Sequence, residues 1–137
     1  MKIIKMDFKL LLEELRNFNL QVDQFAITSS GTLAVRNIRE ATDLDIIVTD
    51  TLWGELIKKY PINKDGDFES INVDNIQFLH KGSWFTGNNE KMIREADIID
   101  GIRYVKLEEI RKRKTNRDRE KDIHDVELIK NYLGLKP

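Results

Sequence analysis

The chain has 137 residues, of which 40% are hydrophobic, and this size and composition predict one domain, residues 1–137, around a single core. The net charge of −1 gives no overall attraction to nucleic acid or anionic lipid, and the lack of cysteine excludes disulfides and thiolate metal sites. The sequence shows neither a signal peptide nor an apolar run near the ~20 residues of a membrane span. We therefore expect a cytoplasmic protein without a membrane partner.

In the first half of the chain, hydrophobic spacing predicts helices that alternate with short strands. Asp7 is the expected N-cap of the first helix, which ends near residues 17–19. The elements expected next are a buried strand at 24–27, a turn at 29–31, a short helix at 32–39, a central strand at 44–48, a helix capped by 49–51 and stopped by Pro61, and a turn at 64–67.

The second half of the chain begins with two strands and ends with two helices. The elements expected here are strands at 68–73 and 76–80 around a two-residue hairpin at 74–75, a helix at 89–96, strands at 98–99 and 102–105, and helices at 107–114 and 120–133. Together the halves predict an α+β (mixed α/β) fold, in which helices flank a small mixed sheet and the C-terminus is helical.

Two carboxylates open the predicted central strand, in the sequence Asp43-Leu44-Asp45. Side chains alternate between the faces of a strand, so Asp43 and Asp45 project from the same face, with Cα atoms about 6.5 Å apart. Both carboxylates can reach one divalent ion, or a pair of ions about 3.5–4 Å apart. The alternative is that they are solvated acids at a strand end, paired with Arg36 or Arg39.

A small, hydroxyl-rich turn, Ser29-Ser30-Gly31, separates the second expected element from the short helix. Free backbone N–H groups at such a turn, and at the start of the helix after it, suit phosphate oxygens. The same residues are equally typical of an ordinary turn and helix cap. Beside a two-carboxylate strand, the turn indicates chemistry on a nucleoside triphosphate.

These features resemble the nucleotidyltransferase fold, the superfamily of DNA polymerase β and the aminoglycoside nucleotidyltransferases. The resemblance lies in the small-residue turn, the short helix and the strand that carries Asp43 and Asp45. Segments 31–39 and 119–129 are also similar to small bacterial members of that superfamily. The likeness extends from about residue 25 to residue 133.

The resemblance implies an enzyme that binds ATP or another NTP, with Mg²⁺ or Mn²⁺ held by Asp43 and Asp45. A hydroxyl would attack the α-phosphorus in line and release pyrophosphate. Ser29 stands where the family turn has its first glycine, so close backbone approach is less free there. The resemblance places the turn residues Ser29, Ser30 and Gly31 beside the triphosphate. The basic candidates for nucleotide binding are Arg39, Lys114, Arg119 and Lys121.

The family usually carries a third carboxylate on a later strand, and this chain departs from that pattern. The matching position is Gln77, which joins Asp43 and Asp45 as a candidate catalytic residue. Glutamine is neutral and a poorer ligand for a hard cation, and the family's third acid often serves as the base for the attacking hydroxyl. Asp74 or Glu69 is the alternative acid if the strand register differs.

The segment from Arg111 to Lys121 is the one strongly charged cluster of the sequence. In one interpretation its cations reach a triphosphate or a nucleic-acid backbone, and in the other they form a solvated helix face that Glu108 and Glu109 partly neutralise. Asp122 and Asp125 are expected to orient basic neighbours or to cap the last helix.

The remaining polar and aromatic candidates have simpler interpretations. His80 and His124 are isolated, so we expect structural or surface roles for them. Trp53, Trp84 and Phe85 are expected to pack in the core or at its edge, and the loop that carries the last two is an alternative cover for a base or ribose.

Three functions remain open from the sequence. The leading one is a minimal Mg²⁺-dependent nucleotidyltransferase that transfers a nucleoside monophosphate to a hydroxyl acceptor, with a homodimer or partner protein completing the site. The second, which Gln77 favours, is a catalytically degenerate binding or regulatory module that acts through a partner protein or nucleic acid. The third is a nucleic-acid binding domain that uses residues 111–121, and salt-dependent affinity would identify it.

Overall fold

The computed structural model of the chain describes residues 7–81, 88–115 and 119–134, so the predicted roles of Trp84 and Phe85 lie outside the described residues. Its helices and strands are, in chain order, α1 (Phe8–Arg16), β1 (Phe25–Thr28), α2 (Ser30–Ala34), β2 (Leu44–Val48), α3 (Asp50–Leu56), β3 (Asn63–Asp65), β4 (Phe68–Val73), β5 (Ile76–Lys81), α4 (Asn89–Arg94), β6 (Asp97–Ile99), β7 (Ile102–Tyr104), α5 (Leu107–Thr115) and α6 (Glu120–Leu133).

The described strands form one mixed sheet in the order β3-β4-β5-β2-β1-β7-β6. Its centre is the antiparallel pair β1 and β2, to which β7 and β5 add in parallel on either side. Antiparallel hairpins complete both edges. This mixed sheet with flanking helices and a helical C-terminal segment confirms the predicted fold class, and β2 lies at the centre as its apolar sequence indicated.

Each face of the sheet packs a separate hydrophobic cluster. Alternation along β2 divides its side chains, since Ile46 and Val48 join one cluster and Ile47 joins the other. The first cluster includes apolar residues of α1 and α3, and the second those of α2, α4, α5 and α6. Asp45 alternates in phase with Ile47, so its carboxylate lies on the face that the second group of helices covers.

The predicted helix at 32–39 is wrong at both ends, because α2 begins at Ser30 and ends at Ala34. Asn37 takes a left-handed conformation with φ of 60°, and the amide of Ile38 donates to the carbonyl of Leu33 at 2.9 Å. This is a Schellman-type ending, in which an asparagine stops the helix and the next apolar residue packs back onto it. Ile38 and Leu33 accordingly share the second cluster.

Other predicted elements keep their identity, with boundaries that shift by a few residues. Asp7 caps α1 through a hydrogen bond from the amide of Lys9 at 3.1 Å, and the 74–75 hairpin forms with Asp74 at φ of 53°. The helix α3 ends at Leu56, before the predicted stop at Pro61. The edge strand β3 overlaps the predicted turn at 64–67. The sequence did not indicate this strand, because its exposed polar residues show no apolar alternation.

His80 and Trp53 have the structural roles that the sequence indicated. Their rings stack with centroids 5.0 Å apart, and Trp53 is buried. His80 Nε2 lies 2.6 Å from an oxygen of Asp50, at the start of α3. Within the described residues, no helix is long and apolar enough to cross a membrane.

Candidate functional site

A row of polar side chains crosses the middle of the sheet. Thr28 of β1 lies opposite Asp45 of β2, and Asp45 lies beside Gln77 of β5. Asn72 of β4 extends the row, since it lies opposite Gln77. Directly paired residues of neighbouring strands project from the same face, so these four side chains line one edge of the second hydrophobic cluster.

The strand register places Gln77 of β5 directly beside Asp45 of β2. Its pairing with Asp45 matches the alignment made from the sequence. The two alternative acids lie elsewhere, because Asp74 is in the hairpin turn and Glu69 lies 3.5 Å from the amine of Lys64. The row therefore contains one carboxylate, Asp45, among neutral polar groups.

Asp45 is the most electrostatically perturbed acid of this edge. Burial and the nearby charge of Asp43 raise the pKa of Asp45 to about 6, although Lys121 and Lys114 oppose this shift. Neither the Asp43 nor the Asp45 side chain forms a hydrogen bond or ion pair with another residue that the structure describes. A partly buried carboxylate without a close partner marks a candidate ligand site.

The alternative in which Arg36 or Arg39 pairs with these two acids is not what the structure shows. The guanidinium of Arg36 donates to Asp97 at 2.8 Å, and that of Arg39 donates to both oxygens of Asp125 at 2.7 and 2.8 Å. Both arginines are engaged with other carboxylates, which leaves the two lysines as the described cations that act on Asp45.

The turn at 29–31 starts with a strained residue. Ser29 is buried and has φ of 54° and ψ of −130°, a conformation that glycine adopts far more readily. Its carbonyl oxygen accepts hydrogen bonds from the amide and the hydroxyl of Thr32, at 3.1 and 2.6 Å. Backbone strain held in place by such contacts is concentrated at functional sites, so the turn is a candidate part of the site.

Gly31 has a packing role. A Cβ built on it would lie 2.3 Å from Cγ2 of Ile27, closer than any real contact, so α2 lies on β1 at a distance that only glycine allows. Next to it, the hydroxyl of Ser30 accepts a hydrogen bond of 2.9 Å from Arg39. The three residues of the turn are thus constrained by the fold.

A buried charged network lies on the same side of the sheet. Lys114 is 1% exposed and donates to Asp125 at 2.9 Å and to Asp122 at 3.4 Å, and these two acids are 1% and 0% exposed. Arg39 binds Asp125 as described, and Arg119 donates to Asp122 at 2.7 Å. The prediction that Asp122 and Asp125 orient basic neighbours is confirmed.

This network shifts the pKa of both acids downward. Burial raises the pKa of Asp125, but hydrogen bonds from Arg39 and Lys114 outweigh burial, and the net pKa lies below its ordinary value. The same balance, with Arg119 and Lys114 as donors, lowers the pKa of Asp122. Both acids are therefore charged at neutral pH.

The remaining cations of the basic segment differ in their surroundings. Glu108 accepts from Arg111 at 3.1 Å, and Glu109 lies 3.7 Å from Arg113, as the helix spacing predicted. Lys121 is exposed, and its ammonium group forms no hydrogen bond or ion pair with a described residue. The interpretation as a solvated face does not fit buried Lys114 and fits exposed Lys121, which interacts electrostatically with Asp45.

The donor atoms at this edge fit a hard divalent cation. Asp43 and Asp45 supply carboxylate oxygens, and Gln77 supplies an amide oxygen that makes no hydrogen bond to a described residue. Thr28 is 1% exposed, and its hydroxyl is buried with no partner among the described residues. Carboxylate and neutral oxygens are the donors that Mg²⁺ accepts. Across residues 7–81, 88–115 and 119–134, no three His, Cys, Asp or Glu side chains are grouped to hold a metal.

The sequence did not predict that Thr28 belongs to the site or that Lys114 is buried. A threonine at the end of an apolar strand is ordinary, and only the register with Asp45 makes its hydroxyl part of the row. A lysine within a basic run is normally solvated, and its burial follows from packing of α5 against α6. Neither feature carries a local signal.

Comparison with models of known protein families found no match, and comparison with curated proteins found none either.

Proposed function

We propose that this protein is a Mg²⁺-dependent nucleotidyltransferase, which transfers a nucleoside monophosphate from an NTP to a hydroxyl acceptor. The observation that carries the proposal is that the carboxylates of Asp43 and Asp45 have no hydrogen-bond or ion-pair partner among the described residues. They lie near a strained, hydroxyl-rich turn and an exposed lysine, Lys121. Together these groups offer oxygen ligands for a cation and positive charge for a triphosphate.

The chain's own residues have distinct roles in this proposal. Asp43 and Asp45 hold Mg²⁺, which when bound supplies positive charge to the attacking and leaving oxygens. Lys121 binds phosphate oxygens from the exposed side. Arg39 fixes Ser30 through the 2.9 Å hydrogen bond and is itself fixed by Asp125, so its role is to position the turn.

In the reaction, the acceptor oxygen bonds to the α-phosphorus as the bond between that phosphorus and its bridging oxygen to the β-phosphate breaks. Pyrophosphate leaves with the electron pair of the broken bond, and the hydroxyl proton passes to solvent or to a base. The row of Thr28, Asp45 and Gln77 offers one carboxylate for both cation binding and proton transfer. We therefore expect slow turnover relative to a three-acid site.

Calorimetric titration of the four NTPs, with and without Mg²⁺, tests the proposal. Asp43→Asn and Asp45→Asn should each weaken metal-dependent binding at least about tenfold, equal to about 1.4 kcal/mol. Asp67→Asn is the matched control, because Asp67 is exposed in a distant hairpin turn. Binding that persists in both site variants, or that needs no metal, contradicts the proposal.

A second candidate function is a nucleotide-binding module without turnover, which acts through a partner protein, a second copy or nucleic acid. The observation that favours it is the pairing of Asp45 with neutral Gln77. Gln77→Glu distinguishes the two. In a weakly active enzyme it should raise the rate of pyrophosphate release, whereas metal-dependent binding with no release in either form supports the module.

A further inference from the structure

We infer that the site holds a single divalent cation, and that Thr28 and Gln77 are the neutral oxygen donors on either side of Asp45. The inference rests on the proposed function, which it deepens by fixing the number of cations and adding a ligand. It is carried by strand register, burial and unpaired donors.

The hydroxyl of Thr28 is the first reason. It is nearly inaccessible and has no partner among the described residues, although a buried hydroxyl without a hydrogen bond destabilises a folded protein. Its cross-strand neighbour on the same face is Asp45. A ligand shell that includes both side chains satisfies this hydroxyl.

The second reason is the charge of the row. On the side away from Thr28, Asp45 is followed by Gln77 and then by Asn72, both neutral. With Asp43, the protein contributes two negative charges, which one divalent cation balances. A second cation about 3.5–4 Å from the first normally shares carboxylate ligands with it, and this row supplies no further acid.

Positive charge from the protein is the third reason. Lys114 and Lys121 both interact electrostatically with Asp45. A second divalent cation would add to the repulsion around these ammonium groups, whereas a single cation leaves Lys121 to face the phosphates. The next residues on the same face, Ile47 and Leu79, are buried and apolar, so the donor set ends at the row.

Manganese binding in the presence of a non-hydrolysable NTP analogue tests the inference. We expect one Mn²⁺ in each protein–nucleotide complex by equilibrium dialysis, and an EPR spectrum of an isolated ion. Gln77→Glu should allow a second ion and give a spin-coupled spectrum, because it adds the missing carboxylate. Two coupled ions in the wild-type protein would overturn the inference while leaving the proposed function in place.

Thr28 is tested in the same assay. Thr28→Val should weaken Mn²⁺ binding about tenfold, while Thr28→Ser, which keeps the hydroxyl, should stay within about twofold. Thr51→Val, at an exposed threonine of α3, is the matched control.

Three outcomes would contradict these assignments. Equal Mn²⁺ affinity in folded Thr28→Val removes Thr28 from the ligand set. If Thr28→Val does not fold, loss of affinity in Thr28→Ser overturns the same assignment. A nucleotide complex that retains no Mn²⁺ overturns both the inference and the proposed function.

Discussion

Two acidic clusters lie on the same face of the sheet and have opposite electrostatics. Asp122 and Asp125 are fully buried, accept hydrogen bonds from Lys114 and arginines, and have lowered pKa values. Asp45 is less buried, has no close partner among the described residues, and has a pKa raised to about 6. The paired buried charges join α5 to α6 and to the segment after α2, whereas an unpaired one destabilises the free protein and is available to a ligand.

The largest expected effect comes from breaking the paired cluster. Lys114→Met leaves two buried carboxylates without their shared cation and should lower the free energy of unfolding by about 3–5 kcal/mol. Urea denaturation measures this change, with Lys112→Met at an exposed lysine as control. A loss below about 1 kcal/mol would mean that the pairing contributes little to stability.

The unpaired cluster should respond in the opposite direction. Asp45→Asn removes a carboxylate whose pKa rises from 3.8 to about 6 on folding, and should stabilise the metal-free protein by at most about 3 kcal/mol at pH 8. Because the pKa of Asp45 is higher in the folded state, the free energy of unfolding of the wild type falls as the pH rises from about 4 through about 6. The two proteins should have equal stability below pH 4. Denaturation at several pH values checks this, and a destabilised Asp45→Asn at pH 8 contradicts it.

The turn at 29–31 should not tolerate a side chain at Gly31. Gly31→Ala places a methyl group 2.3 Å from Ile27 and should destabilise by about 2 kcal/mol. Gly54→Ala is a sharp control, because nothing lies within 4 Å of its added Cβ and alanine favours helix α3. Thermal unfolding of both variants should therefore give shifts of opposite sign. Similar shifts would show that the contact with Ile27 relaxes easily.

The smallest effect concerns the strain at Ser29. Ser29→Gly relieves an unfavourable backbone conformation and should stabilise the fold by about 1 kcal/mol, after the added entropy of the unfolded chain is subtracted. If the proposed function is right, nucleotide affinity should stay within a few fold. Destabilisation in urea would show that the Ser29 side chain makes a contribution that outweighs the strain.

Local patterns were sufficient for most elements of the fold. The apolar, β-branched sequence of β2 located that strand, and Asp74-Asn75 between two apolar runs located the hairpin. Both C-terminal helices also lie where they were predicted. The ends of α2 and the polar edge strand β3 were missed. The C-terminal end of α2 depends on a left-handed asparagine, Asn37, and β3 depends on its pairing with β4.

The candidate site divides in the same way. The sequence aligned Gln77 with Asp45, and the strand register agrees. Asp43 lies just before β2, so its position on the same face as Asp45 stays a prediction. The sequence could not assign partners to Arg36 and Arg39, which bind Asp97 and Asp125 across 61 and 86 residues of chain. Such pairings depend on how helices lie on the sheet, which residue spacing does not encode locally.

The sequence by itself determined the mixed α/β class, the central carboxylate strand and the hydroxyl-rich turn, because periodicity and turn chemistry are local properties. Only the tertiary structure decided which charges are paired. It buried Lys114 between two acids, left Asp45 beside Gln77 and an unsatisfied Thr28, and forced Ser29 into a strained conformation. Burial and neighbouring charges set these properties, and both arise only when distant segments pack together.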